Sequence, residues 1–214
     1  MLNREPKIIA FDGTSASGKG TIAKLIAQSF SIDYLDTGKI FRKIGYVALL
    51  RGSKISLENL VLEFDAFNFN TVKENELLTD SVSSISSILA QKALVRTFVS
   101  MKQKEFVKGK KIVVVDGRDI GTVIFPDAEL KFFFDADINI RAERRFKQLQ
   151  KKGRGIILRN VLSSLKLRDS RDRERAIAPL IMSKDSIKID TTLLSIKKIF
   201  EQVENKINEK LNIK

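Results

Sequence analysis

Four apolar residues, Ile8-Ile9-Ala10-Phe11, lead into Asp12-Gly13-Thr14-Ser15-Ala16-Ser17-Gly18-Lys19-Gly20-Thr21, and that loop runs into the helix-forming stretch Ile22-Ala23-Lys24-Leu25-Ile26-Ala27. A buried strand, a glycine-bounded loop and a helix in this order leave few folds open. Gly13, Gly18 and Lys19 fit the spacing G-x-x-x-x-G-K, in which glycines let backbone N–H groups turn inward around phosphate oxygens. The helix that follows adds its positive N-terminal end, and Lys19 adds a point charge. Gly13, Thr14, Ser15, Ala16, Ser17, Gly18, Lys19, Gly20 and Thr21 are therefore the expected nucleoside triphosphate cradle. The general motif has Ser or Thr directly after the lysine, whereas here Gly20 intervenes. Either the Thr21 hydroxyl serves a metal one position late, or the phosphates hold the metal with little direct help from the loop.

Composition narrows the chemistry. The 214 residues suffice for one well-buried α/β domain, and there is neither cysteine nor histidine. Disulfides, thiolate chemistry, the usual general base and the commonest metal ligand are all excluded. Catalysis must rest on carboxylates, lysine, arginine, backbone N–H groups and an oxygen-bound cation. With no signal-like segment and no apolar run of membrane length, the simplest expectation is a cytoplasmic protein that engages no membrane. The formal charge of +13 points to anionic partners. Residues 139–175 carry thirteen Lys/Arg against four Asp/Glu but only one aromatic residue, Phe146. A stacking platform for nucleic-acid bases is missing, and Asp169, Asp172 and Glu174 interleave with the arginines. That suits a small polyphosphate site better than a long groove.

Hydrophobic periodicity predicts strands at Lys7–Phe11, Ile32–Asp36, Ile112–Val115, Leu130–Phe134 and Ile187–Ile189. It predicts helices at Gly18–Phe30, Lys39–Arg51, Ser56–Leu62, Asp80–Ala90, Ala93–Lys108, Ile138–Lys152, Val161 to about Ala176, and Ser195–Lys210. Phe64–Phe69 reads as a short strand, and Val82, Ile85, Ile88 and Leu89 as the buried face of their helix. Strands alternating with helices imply a parallel sheet covered on both faces, with a site at the carboxyl ends of the strands.

Several residues at that rim could do chemistry. Asp116 follows a run of β-formers, where nucleotide enzymes of this type place the acid that orients a metal, here through water. Asp116-Gly117-Arg118-Asp119 crowds acids and an arginine into one turn. Arg168, Asp172 and Arg175 share a helix face, with Arg171 and Arg173 pointing elsewhere, and Arg141, Arg144 and Arg145 share another. Gly153-Arg154-Gly155 reads as a hinge.

These motifs resemble a known family. Gly18-Lys19-Gly20-Thr21 is the loop variant of nucleoside monophosphate kinases. Leu35-Asp36-Thr37-Gly38, Asp116-Gly117-Arg118-Asp119-Ile120-Gly121-Thr122, Phe125-Pro126-Asp127-Ala128 and Arg168-Asp169-Ser170-Arg171-Asp172-Arg173 look like bacterial cytidylate kinases, in the right order over nearly the whole chain. The resemblance implies a three-layer α/β/α P-loop kinase fold of one domain. The core would be 1–36, 92–152 and 176–214, the acceptor-binding insert 37–91, and the mobile lid 153–175. It implies transfer of the γ-phosphoryl of ATP to CMP or dCMP, with Mg²⁺ accompanying ATP. Lys19, Arg118, Arg144 and Arg175 would be catalytic, and Arg145 and Arg154 would join the loop in binding ATP. Thr37, Arg42 and Arg175 would face the acceptor's phosphate, Ser87, Arg96 and Asp119 the cytosine edge, and Arg168 and Asp172 the sugar. Two departures stand out: Phe41 replaces the usual tyrosine, and the segment between Arg42 and Ser87 is shorter than in most bacterial members. The alternatives are another small-acceptor kinase, for UMP or AMP, and a basic nucleic-acid-binding protein. No long exposed apolar stripe demands a partner, so a monomer is expected, and Arg175→Ala is expected to lower turnover with little loss of stability.

Overall fold

The central strand is β1 (Lys7–Gly13), six of whose seven residues are buried, as a strand flanked on both sides must be. Residues 5–52, 54–150 and 157–211 are described by a computed structural model. Around β1 lie β2 (Asp33–Asp36), β3 (Ile112–Asp116), β4 (Leu130–Asp135) and β5 (Ile187–Asp190), in the order β2-β3-β1-β4-β5 and all parallel. The register sets Phe11 beside Asp116, Asp116 beside Asp36, and Gly13 beside Phe134. The ends of β1, β2 and β3 thus converge on one rim, at the point where the chain changes direction across the sheet.

Nine helices are described: α1 (Lys19–Ser29), α2 (Thr37–Arg51), α3 (Leu57–Ala66), α4 (Glu74–Leu77), α5 (Asp80–Leu89), α6 (Ala93–Val107), α7 (Ile138–Gln150), α8 (Leu158–Glu174) and α9 (Ile196–Leu211). On one face of the sheet Ile9, Phe11, Phe132 and Phe134 pack against Ile22 and Ile26 of α1 and Val203 and Ile207 of α9. On the other, Ile8, Ala10, Val113 and Val115 meet Val107 of α6 and Ile120 and Ile124 of a single π-helical turn, Ile120–Ile124. A third cluster joins Ile44 and Val47 of α2, Leu60 of α3, and Val95, Phe98 and Val99 of α6.

The expected strand at Phe64–Phe69 is not formed. Ser56 caps α3, its side chain accepting from the Asn59 N–H, and the helix runs to Ala66; a short 3₁₀ turn follows at Phe69–Thr71. Phe64 and Phe67 lie one helical turn apart and both reach the third cluster. There Phe64 meets Phe98 edge-on and Phe67 meets Phe69. Side-chain packing, not alternation, placed these rings. The buried face of α5 also differs from expectation: Val82, Ser86 and Ser87 are buried, while Ile88 is 38% exposed. α8 begins three residues earlier than expected and stops at Glu174, because Arg175 takes an extended backbone and Ala178 a positive φ of 51°.

Helices α2 and α5 approach closely at Gly45. A Cβ there would stand 2.4 Å from Ser86 Oγ and 3.0 Å from the Val82 carbonyl, which itself accepts from Ser86. Gly45→Ala is expected to lower the unfolding free energy by about 1–3 kcal/mol, the usual penalty of overpacking. A urea denaturation midpoint equal to that of the unchanged chain would refute this.

Candidate active site

The loop after β1 is held open by bonds to its carbonyl groups. The Ser17 hydroxyl donates to the Thr14 carbonyl, Arg141 Nη1 to the Ser15 carbonyl, and the Thr191 hydroxyl to the Ser17 carbonyl, at 2.9, 3.1 and 2.8 Å. Thr14 Oγ1 donates to Asp135, and the Thr14 N–H to the Phe134 carbonyl. With the carbonyls drawn outward, the N–H groups of residues 15–20 have no acceptor among the described residues. They are left as donors at the start of α1. The turn requires Gly13 (φ 144°), where a Cβ would lie 2.0 Å from the Phe134 carbonyl oxygen, and a left-handed Gly18 (φ 86°).

Lys19, the first residue of α1, is buried, its ammonium 3.1 Å from Asp116 Oδ1. Burial, reinforced by Arg118, lowers the pKa of Lys19, while Asp116 works in the other direction. Gly20 explains the departure from the general motif. A Cβ at Gly20 would stand 2.7 Å from Asp116 Oδ2, so the position after the lysine must be bare for the carboxylate to come close. Thr21, one residue on, is exposed and lines the cleft. The Asp116 main chain is also held, its carbonyl accepting from Thr37 at 2.7 Å.

The second half of the site is a lattice of alternating charges. Asp172 Oδ2 accepts from Arg118 Nε at 3.1 Å and lies 4.0 Å from Arg168 Nε; its Oδ1 is 3.9 Å from Arg175. Burial opposes ionisation of Asp172, but Arg118, Arg168 and Arg175 prevail and hold its pKa below the usual carboxylate value. Asp119 pairs with Arg96 and, at 3.3 Å, with Arg175. There burial prevails over both arginines and raises the pKa. Arg96 also donates to the Ala90 carbonyl and sits 5.9 Å from the Phe41 ring. Arg42 pairs with Asp36 at 2.8 Å. Burial, then Arg118, pushes Arg168 down to about 10, so it stays cationic at neutral pH. Ser87 Oγ, Arg42 Nε and Arg168 Nε are buried without a hydrogen-bond partner among the described residues.

A cleft of about 1190 Å³ connects the two halves, lined by Ser15 to Thr21, Thr37, Arg42, Ser87, Asp116, Arg118, Asp119, Arg145, Arg168, Asp172 and Arg175 among others. Most of the expected residues are thereby brought together. Gly13, Thr14 and Arg96 stand behind the lining as supports. Arg171, expected to point away, lines the cleft too. Arg144 does not: it donates to the Thr191 hydroxyl and carbonyl at 3.0 and 2.5 Å, beside the phosphate loop instead of within the cleft. Arg145 reaches across to the Leu78 carbonyl, and Arg154 lies outside the described residues, as does the Gly153-Arg154-Gly155 hinge. Arg175 is more embedded than expected, with Nε on the Ala178 carbonyl and two buried carboxylates as neighbours. Asp172 keeps Arg118 and Arg168, and Asp119 keeps Arg96, as further partners.

Sequence reasoning missed Asp12, Arg141 and Thr191 as supports. Asp12 stands directly before the loop, which was a usable signal; Arg141 and Thr191 carry no local one. Asp12 accepts from the Ile120 and Gly121 N–H groups at 2.9 and 2.8 Å, anchoring the turn that follows Arg118 and Asp119.

This arrangement agrees with the comparisons of sequence. The family model for cytidylate kinase matches residues 9–209. The chain belongs to the cytidylate kinase family. A cytidylate kinase of Thermosipho melanesiensis is 41% identical over 97% of this chain and 100% of its own length, and one of Rickettsia rickettsii 36% identical over 95% and 92%. Among solved structures, a Thermus thermophilus protein (TM-score 0.56, 16% identity, 97% and 99% coverage) and a Sinorhizobium meliloti gluconokinase (TM-score 0.51, 13% identity, 96% and 94% coverage) share the fold. The cytidylate kinase family thus places the cleft within a P-loop kinase architecture.

Burial, against the two N–H groups it accepts, raises the pKa of Asp12 to about 6. Between about pH 4 and that value the folded chain keeps a proton the unfolded chain has lost, so rising pH weakens the fold through this window. The unfolding free energy of the unchanged chain minus that of Asp12→Asn should therefore fall from about pH 4 to 6 and level off above. Parallel stability curves from urea titrations across this range would contradict the assignment.

Proposed function

We propose that this chain is an ATP-dependent (d)CMP kinase, transferring the γ-phosphoryl of ATP to CMP or dCMP and releasing ADP with the corresponding diphosphate. The observation that carries the reading is the cleft itself. At one end are Lys19 and the N–H groups of residues 15–20, which have no acceptor among the described residues; at the other are Arg118, Arg168 and Arg175 around Asp172, with the buried Ser87 hydroxyl also lacking a partner among the described residues. Two anions fit such a cleft end to end.

In this reading the loop from Gly13 to Thr21 and Lys19 hold the donor phosphates, with Arg145 and Arg154 from the lid side. Thr37, Arg42 and Arg175 receive the acceptor's phosphate. Arg168 and Asp172 contact the sugar, and Ser87, Arg96 and Asp119 read the cytosine edge. An acceptor phosphate oxygen is already anionic near neutral pH, so it attacks without a general base. Its bond to the γ-phosphorus forms as the bond to the leaving ADP oxygen breaks, through a loose transition state. Lys19, Arg118 and Arg175 neutralise the charge that spreads over the transferred group. That is why a chain without histidine or cysteine suffices.

Mg²⁺ bound with ATP would supply positive charge that stabilises the transferring phosphoryl group. Asp116, 3.1 Å from Lys19 and beside the bare Gly20, is the residue to orient it through water, with Thr21 as an accessory oxygen. Arg144, bound to Thr191, supports the loop in this scheme and does not touch phosphate.

The division into core, acceptor insert (37–91) and lid (153–175) follows the same logic, with α6 serving both the sheet core and the insert core. A monomer in the cytoplasm is the simplest setting; among the described residues no helix is long and apolar enough to cross a membrane. A nucleic-acid groove is disfavoured because Arg141, Asp169, Asp172 and Arg175 of the basic stretch are buried and mutually paired.

An ADP-release assay across CMP, dCMP, UMP and AMP tests the acceptor. A pocket that hydrogen-bonds the cytosine edge should prefer the cytidine nucleotides over AMP by up to roughly 10⁴-fold in kcat/KM; equal rates on all four would overturn the reading. Lys19→Met should lower kcat by about 10²-fold or more in the same assay, and an unaltered kcat would remove Lys19 from the transfer step.

A further inference from the structure

Arg141 sits at the junction of three elements and is only 4% exposed. Its Nε donates to the Ala136 carbonyl at the end of β4, and its Nη1 to the Ser15 carbonyl at the crown of the phosphate loop. The same Nη1 stands 2.7 Å from Asp169 Oδ2 on α8. Asp169 lies on α8 three residues before Asp172, on the flank adjoining the side where Arg168, Asp172 and Arg175 meet the cleft. A second contact runs parallel to this one. The Ala16 side chain, on the loop crown at φ 60°, packs against the cluster of Ala142 and Leu149 from α7 with Val161 and Leu165 from α8. The crown of the donor loop is therefore gripped by the same helix that lines the rest of the cleft.

We infer that Asp169 and Arg141 form a positioning pair through which the acceptor side sets the donor loop, so that a bound nucleoside monophosphate tightens the grip on ATP. The inference rests on the acceptor reading given above. An acceptor that draws Arg168, Asp172 and Arg175 together fixes the placement of α8. Asp169 then holds Arg141 against the Ser15 carbonyl, which keeps the crown N–H groups aimed at the donor phosphates. By linkage the effect is reciprocal, and ATP tightens the acceptor equally. Neither residue touches substrate; both act through the loop.

The test is a pair of calorimetric titrations with a non-hydrolysable ATP analogue, with and without saturating CMP, on the full chain and on Asp169→Asn. The full chain should bind the analogue about fivefold or more tightly when CMP is present, the lower range of site-to-site coupling. Asp169→Asn, which keeps the volume and removes the charge, should shrink that enhancement to less than about twofold. A purely structural role would weaken binding by the same factor with and without CMP, leaving the ratio intact, and would overturn the inference. So would a full chain that binds both ligands with no enhancement. Should Asp169→Asn fail to fold by circular dichroism, Arg141→Lys carries the same expectation, since a single ammonium cannot span the Ser15 carbonyl, the Ala136 carbonyl and Asp169 together. A full chain that binds no CMP overturns the acceptor reading itself, a result the CMP titration alone distinguishes.

Discussion

Everything in the cleft depends on turning peptide dipoles the wrong way round. In an ordinary turn, carbonyls and N–H groups satisfy each other; in the loop after β1 they are separated, the carbonyls engaged from outside and the N–H groups from 15 to 20 left for a ligand. Separation has a structural cost, visible as positive φ at Gly13, Ala16 and Gly18. It persists because side chains from α7 and from the segment after β5, Arg141 and Thr191, are themselves buried and fixed. A loop of the same sequence without those two donors would have no reason to keep its N–H groups pointing inward.

The other half of the cleft poses a different problem, that of burying several guanidinium groups close together. Arginines crowded in one cleft repel one another, and the lowered pKa values of Arg168 and Arg175 reflect burial together with their basic neighbours. Asp172 and Asp119 offset this by pairing with several arginines each. Such pairs do little for stability once desolvation is counted. Their value lies in placement, because each carboxylate fixes the planes of the guanidinium groups around it. Arg42 Nε and Arg168 Nε are buried with no hydrogen-bond partner among the described residues, so the lattice keeps donors to spare.

The alternation of strands and helices was readable because each stretch carries its own period, and the phosphate loop because its glycines are obligatory for steric reasons. The rim could be assembled from Gly13, Asp36 and Asp116, since parallel strands bring their carboxyl ends together. What local sequence did not contain was the set of supports drawn from distant elements. Arg141, Arg144 and Arg145 lie at spacings that suggest one shared duty, yet they divide among the Ser15 carbonyl, Thr191 and the cleft. The helix periodicity gave the face correctly; the identity of what lies opposite that face came from α8 and β5. Likewise Phe64 and Phe67 looked alternating only because Asp65, Ala66 and Asn68 are shorter, and the third hydrophobic cluster overrode the strand pattern.

Phe41 follows from the same logic of placement. A tyrosine at this position could offer a hydroxyl to the acceptor; phenylalanine keeps the ring and drops the hydrogen bond. The ring still faces the Arg96 guanidinium at 5.9 Å, an electrostatic contact that needs no hydroxyl. Arg96 is further fixed by the Ala90 carbonyl and by Asp119. With Arg96 held from three sides, orientation of the Asp119 carboxylate no longer depends on the missing phenol. A carboxylate fixed by buried arginines on both oxygens, Arg96 on one and Arg175 on the other, loses little when one neighbouring hydroxyl is removed. The substitution of tyrosine by phenylalanine is therefore compatible with an intact pocket.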